Sequence, residues 1–263
     1  MSGPPGRGRV IGITRRTLLA ALPATTPPRR VAIPAATPIS RLDTPWWAER
    51  HAAKLADIRR RPVGLLWLGD SITENWEHAG PPDWQDFAPV WTRFYGDRDA
   101  INLGFKGDAT SHLLWRLQNG ELAGMTPKAA IILIGANNLG RAHWPTADNI
   151  AGINAVVAET QRRLPATKIL LLGILPSDRS AWATKTTAEI NAALARQTTP
   201  NVTFMDIGSV FEHDGALDHA LYYDRLLRPA EPTLHPTAQG MARLAAAIEP
   251  TLARLLRDHP HPG

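Results

Sequence analysis

Cysteine is absent from the 263 residues of the chain. Its absence excludes disulfides, a thiolate nucleophile, a cysteine zinc site and a lipid anchor on an N-terminal cysteine. The sequence also lacks a run of about 18 consecutive apolar residues, the length that a membrane-spanning helix needs. No membrane span is therefore predicted, and the length allows one domain with a sizeable core or at most two small ones.

Acidic residues are missing from the first forty positions, which hold six arginines. Over the whole chain, 29 Lys and Arg face 24 Asp and Glu, so the part beyond residue 40 carries a net charge of −1. A nucleic-acid-binding surface needs basic residues clustered on the folded part of the protein. The basic balance belongs to the tail, and a nucleic-acid partner is not predicted.

The tail contains a short motif that is typical of export. Arg15 and Arg16 precede an apolar run at residues 18–24, which is interrupted by Pro23. This arrangement resembles a twin-arginine signal and predicts a periplasmic or secreted protein. The alternative is a disordered, Pro-rich basic tail on a cytoplasmic protein. Either way, residues 1–40 are predicted to be a tail and linker, and residues 41–263 a folded domain.

Apolar segments alternate with amphipathic segments in the predicted domain. The pattern predicts strands at residues 63–68, 99–103, 129–134, 168–175 and 202–206, and helices at residues 45–61, 111–122, 146–164, 182–197 and 237–256. Continuously apolar strands separated by helices are typical of a parallel sheet covered on both faces. The predicted fold class is therefore α/β, a three-layer α/β/α sandwich with a five-stranded, mostly parallel sheet. Functional sites in such sheets form outside the carboxyl ends of the strands.

Four residues that could take part in catalysis lie at those ends or in the last connecting loop. Ser71 follows the first strand, Gly104 the second and Asn137 the third, while His235 precedes the last helix. Each has an ordinary structural explanation: a helix N-cap, a turn glycine, an Asx turn and an isolated histidine. Together they match a serine nucleophile, a histidine base and two oxyanion donors, a set that acyl transfer requires.

The segments around these four residues resemble the four sequence blocks of the SGNH (GDSL) hydrolases, over about residues 45–257. Residues 107–110, 114–122 and 135–138 are similar to the alpha subunits of platelet-activating-factor acetylhydrolase and their bacterial relatives. The resemblance implies a flavodoxin-like fold, Ser71 as nucleophile and His235 as base. It implies an oxyanion hole from the Ser71 and Gly104 amides and the Asn137 side chain. It implies no metal or organic cofactor, and pairing as a homodimer.

One position departs from the family pattern. The family has an Asp three residues before the catalytic His, and this chain has Pro232 there. Three partners for the imidazole remain open. Glu231 is one residue further away, Asp224 lies in a segment resembling the Asp-containing stretch of the family if the following loop is an insertion, and a backbone carbonyl would leave a Ser–His dyad.

The substrate is predicted from the tryptophans and the resemblance. Six of the nine tryptophans lie between residues 46 and 91; Trp67 is expected in the core, whereas Trp76 and Trp84 flank a loop after the nucleophile, where an indole face could pack against a sugar. The prediction is removal of a short acyl group, acetyl above all, from an alcohol or carbohydrate ester. The alternatives are an O-acyltransferase with the same site, or a catalytically impaired SGNH module that binds carbohydrate or a partner.

Overall fold

A computed structural model describes residues 1–3, 32–81 and 85–262. The predicted twin-arginine segment and Trp84 lie outside the described residues. A compact unit begins at Ala32. Its first element is a 3-10 turn, Pro34–Ala36, in which Ala35 is fully buried and accepts a hydrogen bond from Thr110 Oγ1 at 2.7 Å. The segment before residue 41 therefore already contributes to the packed unit.

Five parallel strands form the central sheet. They are β1 (Leu65–Gly69), β2 (Ala100–Gly104), β3 (Ala129–Leu133), β4 (Lys168–Leu172) and β5 (Val202–Met205). Their spatial order is β2-β1-β3-β4-β5, and every neighbouring pair is parallel. Strand β1 therefore lies inside the sheet, with β2 added on one side of it and β3 on the other. This change of side is the topological switch point at which sites form in open α/β sheets.

Eight α-helices accompany the sheet within the described residues. They are α1 (Pro45–Arg60), α2 (Ser71–Glu74), α3 (Ala88–Tyr95), α4 (Thr110–Arg116), α5 (Ala136–Gly140), α6 (Thr146–Arg163), α7 (Ala181–Ala195) and α8 (Ala238–Leu256). Side chains alternate between the two faces of each strand. Leu66 and Leu68 enter a core cluster with residues of α1, α4, α6 and α7, whereas Leu65 and Trp67 enter a second one with residues of α3 and α8.

The predicted three-layer α/β/α sandwich is confirmed. All five predicted strands are present within a few residues of their expected bounds, and Trp67 is fully buried as expected. The helix predicted at residues 111–122 is wrong in its second half. It ends at Arg116 and continues as a π-type turn, Leu117–Glu121, in which Gly120 has φ +111°, a backbone conformation that glycine adopts without strain.

No counterpart was predicted for three helices, α2, α3 and α5, or for the stretch between β5 and α8. Helix α3 lies between the first two strands, and the stretch between β5 and α8 forms a small hairpin, Glu212–His213 with Ala216–Leu217, and short 3-10 turns. In the part of the chain that the structure describes, no helix is both long and apolar enough to cross a membrane.

Candidate active site

The nucleophile predicted from the sequence stands where β1 turns into α2. Asp70 caps this helix, since its Oδ1 accepts a hydrogen bond from the Ile72 N–H at 3.0 Å, and Ser71 is the first helical residue. A Cβ at Gly69 would lie 2.1 Å from Thr73 Oγ1 and 2.4 Å from the Leu133 carbonyl oxygen. Only glycine therefore permits this sharp strand-to-helix turn, which presents Ser71 at the carboxyl end of the sheet.

His235 reaches Ser71 from the far end of the sequence. Tyr222 pairs with Pro236 in an isolated antiparallel bridge, and Thr237 caps α8 through a hydrogen bond from the Gly240 N–H at 3.1 Å. These contacts hold the loop in which His235 lies. The distance from Ser71 Oγ to His235 Nε2 is 3.0 Å across 164 positions of sequence, within hydrogen-bond reach of an oxygen–nitrogen pair.

Asp224 is the carboxylate on the other ring nitrogen. Its Oδ1 lies 2.8 Å from His235 Nδ1, and its Oδ2 accepts hydrogen bonds from the backbone N–H groups of Leu234 and His235. Burial alone would raise the pKa of Asp224, but these hydrogen bonds and the nearby imidazole outweigh it and hold the pKa below its ordinary value. Asp224 is thus a charged partner for the ring at neutral pH.

Glu231, the other acid considered from the sequence, does not take that place. It is exposed, and its backbone N–H donates to the Asp224 carbonyl oxygen at 3.0 Å. The acid and the histidine are 11 positions apart, rather than three, because the chain between them loops out and returns. The insertion interpretation gave the right contact, and the Glu231 and backbone-carbonyl interpretations did not.

Asn137 lies in α5, directly after β3, and is 7% exposed. Its Nδ2 donates to the Asp108 carbonyl oxygen at 3.0 Å and lies 3.5 Å from Asp70 Oδ2. The second contact is long, so one N–H of this amide can turn to a ligand oxygen at little cost.

Gly104 differs from its predicted role as an oxyanion donor. Its N–H donates to Asn102 Oδ1 at 2.8 Å, and a Cβ there would lie 2.2 Å from the Glu74 backbone nitrogen. Gly104 is therefore a packing glycine that lets α2 approach β2. Gly107 has the better position: its φ is +76°, and the next residue, Asp108, accepts the hydrogen bond from Asn137. Within residues 32–81 and 85–262, neither Gly107 N–H nor Ser71 N–H donates to another residue.

A buried ionic network holds this glycine loop, and sequence reasoning missed it. Arg116 is fully buried; its Nε donates to Asp108 Oδ2 at 2.9 Å, its Nη2 donates to the Gly69 carbonyl oxygen at 3.2 Å, and it also pairs with Glu121. The same guanidinium therefore ties the loop after β2 to the turn before Ser71. The only sequence signal was that these residues fall in the segments resembling the acetylhydrolase alpha subunits.

Asp70 is a buried carboxylate directly before Ser71 in the chain. Burial raises its pKa to about 6, although the Ile72 N–H and the charges of His235 and Arg179 act in the opposite direction. Arg179, also missed from the sequence, is anchored by its Nη2, which donates to the Ala136 carbonyl oxygen at 2.8 Å. Asp70 therefore changes charge in mildly acidic solution next to Ser71.

A cavity of about 340 Å³ opens onto the serine and histidine. Its lining comprises Ser71, Asn75, His78, Lys106, Tyr223, Asp224, Leu227, Glu231 and His235. A larger cavity, about 430 Å³, lies beside α7, but none of the site residues above lines it. Among the described residues, no group of three or more His, Asp or Glu side chains is arranged to hold a metal ion.

Trp76 does not form the expected sugar platform. Trp76 is 2% exposed and packs edge-on against Trp67 and Tyr95, with ring centroids 5.6 Å and 5.5 Å away. The prediction of an accessible indole face at Trp76 is wrong, because the 3-10 turn after α2 directs this ring into the core.

The fold and this site define the class of protein, a carboxylic ester hydrolase with the SGNH architecture. The comparisons with known proteins identify the particular family. Residues 67–243 match the GDSL-like Lipase/Acylhydrolase family, and the chain belongs to that family.

Relatives and solved structures agree with this assignment. The chain is 30% identical to platelet-activating factor acetylhydrolase IB subunit alpha2 of Rattus norvegicus, over 81% of this chain and 86% of that protein. It superposes on a putative platelet activating factor structure from Streptococcus pneumonia with a TM-score of 0.62 at 21% identity, covering 81% of this chain and 97% of that one. A carbohydrate esterase family 3 structure from Talaromyces cellulolyticus gives a TM-score of 0.52 at 19% identity, covering 75% of this chain and 99% of that one. At these identities the two structures show the shared fold.

Proposed function

We propose that the protein hydrolyses short-chain, above all acetyl, esters of an alcohol or carbohydrate through an acyl-enzyme on Ser71. The observation that carries the proposal is the pair of contacts through one imidazole, 3.0 Å from Nε2 to Ser71 Oγ and 2.8 Å from Nδ1 to Asp224. A serine hydroxyl becomes a nucleophile when a positioned base accepts its proton and a third group orients that base.

The reaction then has two half-reactions. His235 takes the proton of Ser71 as the oxygen attacks the ester carbonyl, and gives it to the departing alcohol when the tetrahedral intermediate collapses. Water repeats the sequence on the acyl-enzyme, which releases the acid and restores the serine. Asp224 stays ionised and stabilises the imidazolium that forms in each half-reaction.

The oxyanion is stabilised by three donors in this proposal: the N–H of Ser71, the N–H of Gly107 and the side-chain amide of Asn137. Gly107 replaces Gly104 because the Gly104 N–H is already engaged with Asn102. Donors fixed before the reaction stabilise developing charge without reorganisation in the transition state. The Arg116 network supports this proposal, since it ties the Gly107–Asp108 backbone to the turn before Ser71.

A fluorophosphonate probe tests the nucleophile directly. We expect one covalent adduct per chain, located on Ser71 by peptide mass spectrometry, because the activated hydroxyl attacks phosphorus as it attacks a carbonyl. The Ser71→Ala variant should take up no label, and Ser180→Ala, which removes the N-cap serine of α7, should label like the parent. An adduct on another residue would contradict the assignment of Ser71, and the absence of any adduct would favour a binding module over an enzyme.

The size of the acyl group is tested with p-nitrophenyl esters of acetate, butyrate and octanoate. We expect kcat/KM to be about tenfold or more higher for acetate than for octanoate, because a cavity of about 340 Å³ must hold both the acyl group and the alcohol. The acetylhydrolase named among the relatives supports the same choice. A preference for octanoate would contradict the short-acyl assignment.

A further inference from the structure

Asn75 lies one helical turn beyond the nucleophile and faces the same cavity. Its backbone N–H donates to the Ser71 carbonyl oxygen at the end of α2, so positions 71 and 75 are stacked on one side of the helix. The residue is 2% exposed and lines the cavity together with Ser71 and His235. Nothing in the acyl-enzyme mechanism above uses it.

The amide of Asn75 is the exception among the buried asparagines of the described chain. Its Nδ2 is buried and has no hydrogen-bond partner. The other five each donate through Nδ2 to an oxygen: Asn102 to Thr73, Asn137 to Asp108, Asn138 to Thr110, Asn149 to Trp144 and Asn191 to Ile174. A buried donor without an acceptor destabilises a fold, and because the residue lines a cavity, a ligand oxygen there can become the missing partner.

The position of that oxygen follows from the chemistry of an acetyl ester. The acyl group has one acceptor, the carbonyl oxygen, which belongs to the oxyanion donors, and the bridging oxygen receives its proton from His235. Any further acceptor oxygen therefore belongs to the alcohol. The cavity lining also includes Lys106 and Tyr223, whose side chains carry groups that can hydrogen-bond to the hydroxyls of an alcohol.

We propose that Asn75 is a substrate-binding residue whose side-chain N–H donates to a second oxygen of the leaving alcohol, which makes acetyl esters of polyols or sugars the substrate class. This inference rests on the proposed function, because it uses the acetyl ester and the oxyanion donors named there. It makes Asn75 a specificity residue for the alcohol, separate from the groups that break the ester bond.

The test compares two substrates and two variants of Asn75. The substrates are an acetylated methyl xyloside, whose alcohol carries further oxygens, and phenyl acetate, whose alcohol has none. For Asn75→Leu we expect kcat/KM to fall about tenfold more on the xyloside than on phenyl acetate, mainly through KM, because a binding contact and not a reacting group is lost. Asn75→Asp, which keeps the shape and removes the donor, should reduce the ratio of the two kcat/KM values in the same direction.

Thermal stability separates a binding role from a structural one. Asn75→Leu removes an unpartnered buried donor, so we expect its Tm to equal or exceed that of the parent. The matched control, Asn191→Leu, removes the partners of the Ile174 N–H and carbonyl groups and should lower Tm. An unchanged substrate ratio in both Asn75 variants, or a fall in Tm of Asn75→Leu as large as that of Asn191→Leu, overturns the inference. Absence of ester hydrolysis and of Ser71 labelling in the parent would instead overturn the proposed function.

Discussion

Replacement of Asp224 by Asn is expected to lower kcat by about 10⁴-fold, the cost of the equivalent change in a triad protease. The carboxylate accepts a hydrogen bond from the Nδ1–H at 2.8 Å and so leaves Nε2 free to accept the proton of Ser71. An asparagine amide can donate to Nδ1 instead, which places the imidazole proton on Nε2, where it blocks proton transfer. The measurement is steady-state turnover of p-nitrophenyl acetate, with KM expected to change little.

The control for this prediction is Glu231→Gln, the other acid near the histidine in sequence. Glu231 is exposed, and its hydrogen bond to Asp224 uses the backbone N–H, which the substitution leaves in place. We therefore expect turnover to stay within about threefold of the parent. Circular dichroism and Tm should show both variants folded. If Asp224→Asn retained most of the turnover while Glu231→Gln lost it, the assignment of the orienting acid would be reversed.

Truncation of Asn137 to Ala is expected to lower kcat by about 10²–10³-fold, the usual cost of losing one oxyanion donor. The side chain is held between the Asp108 carbonyl oxygen and Asp70, at 3.0 Å and 3.5 Å, and Asp70 directly precedes the serine. Because the interaction with the oxygen strengthens as negative charge develops on it, the loss should appear in kcat more than in KM. Steady-state kinetics on p-nitrophenyl acetate give both values.

The neighbouring Asn138 supplies a matched control. Its Nδ2 donates to Thr110 Oγ1 at 2.9 Å and its Oδ1 accepts a hydrogen bond from the Thr110 N–H at 3.0 Å, so both groups of its amide are used to join α5 to the start of α4. Asn138→Ala should therefore lower Tm, with a smaller fall in kcat than Asn137→Ala. Equal kcat losses in the two variants would indicate that Asn137 also acts through structure alone.

Local patterns were sufficient for the layers of the fold and for three of the site residues. Runs such as residues 129–134 are apolar at every position, which suits a strand buried on both faces and does not depend on distant contacts. Since parallel strands end at one edge of the sheet, Ser71 and Asn137 followed from their places after β1 and β3. His235 followed from its place before the last helix together with the resemblance to the SGNH hydrolases.

Local patterns were insufficient wherever the course of a loop decided the contact. Gly104 and Gly107 are both turn glycines in the sequence, and the hydrogen bond from Gly104 to Asn102 that distinguishes them is seen only in the structure. Trp76 is a residue type that can form an aromatic platform, but the turn after α2 decides whether its ring faces solvent or the core.

The sequence by itself determined a five-stranded α/β sandwich and the placement of a serine, an asparagine and a histidine around its carboxyl edge. Periodicity and chain order encode that much, because they act over a few residues at a time. Only the tertiary structure decided that Asp224 contacts the imidazole, that Arg116 braces the glycine loop and that Asn75 faces the cavity with an unpartnered amide. Those outcomes depend on packing between segments far apart in sequence, which residue type and spacing do not encode.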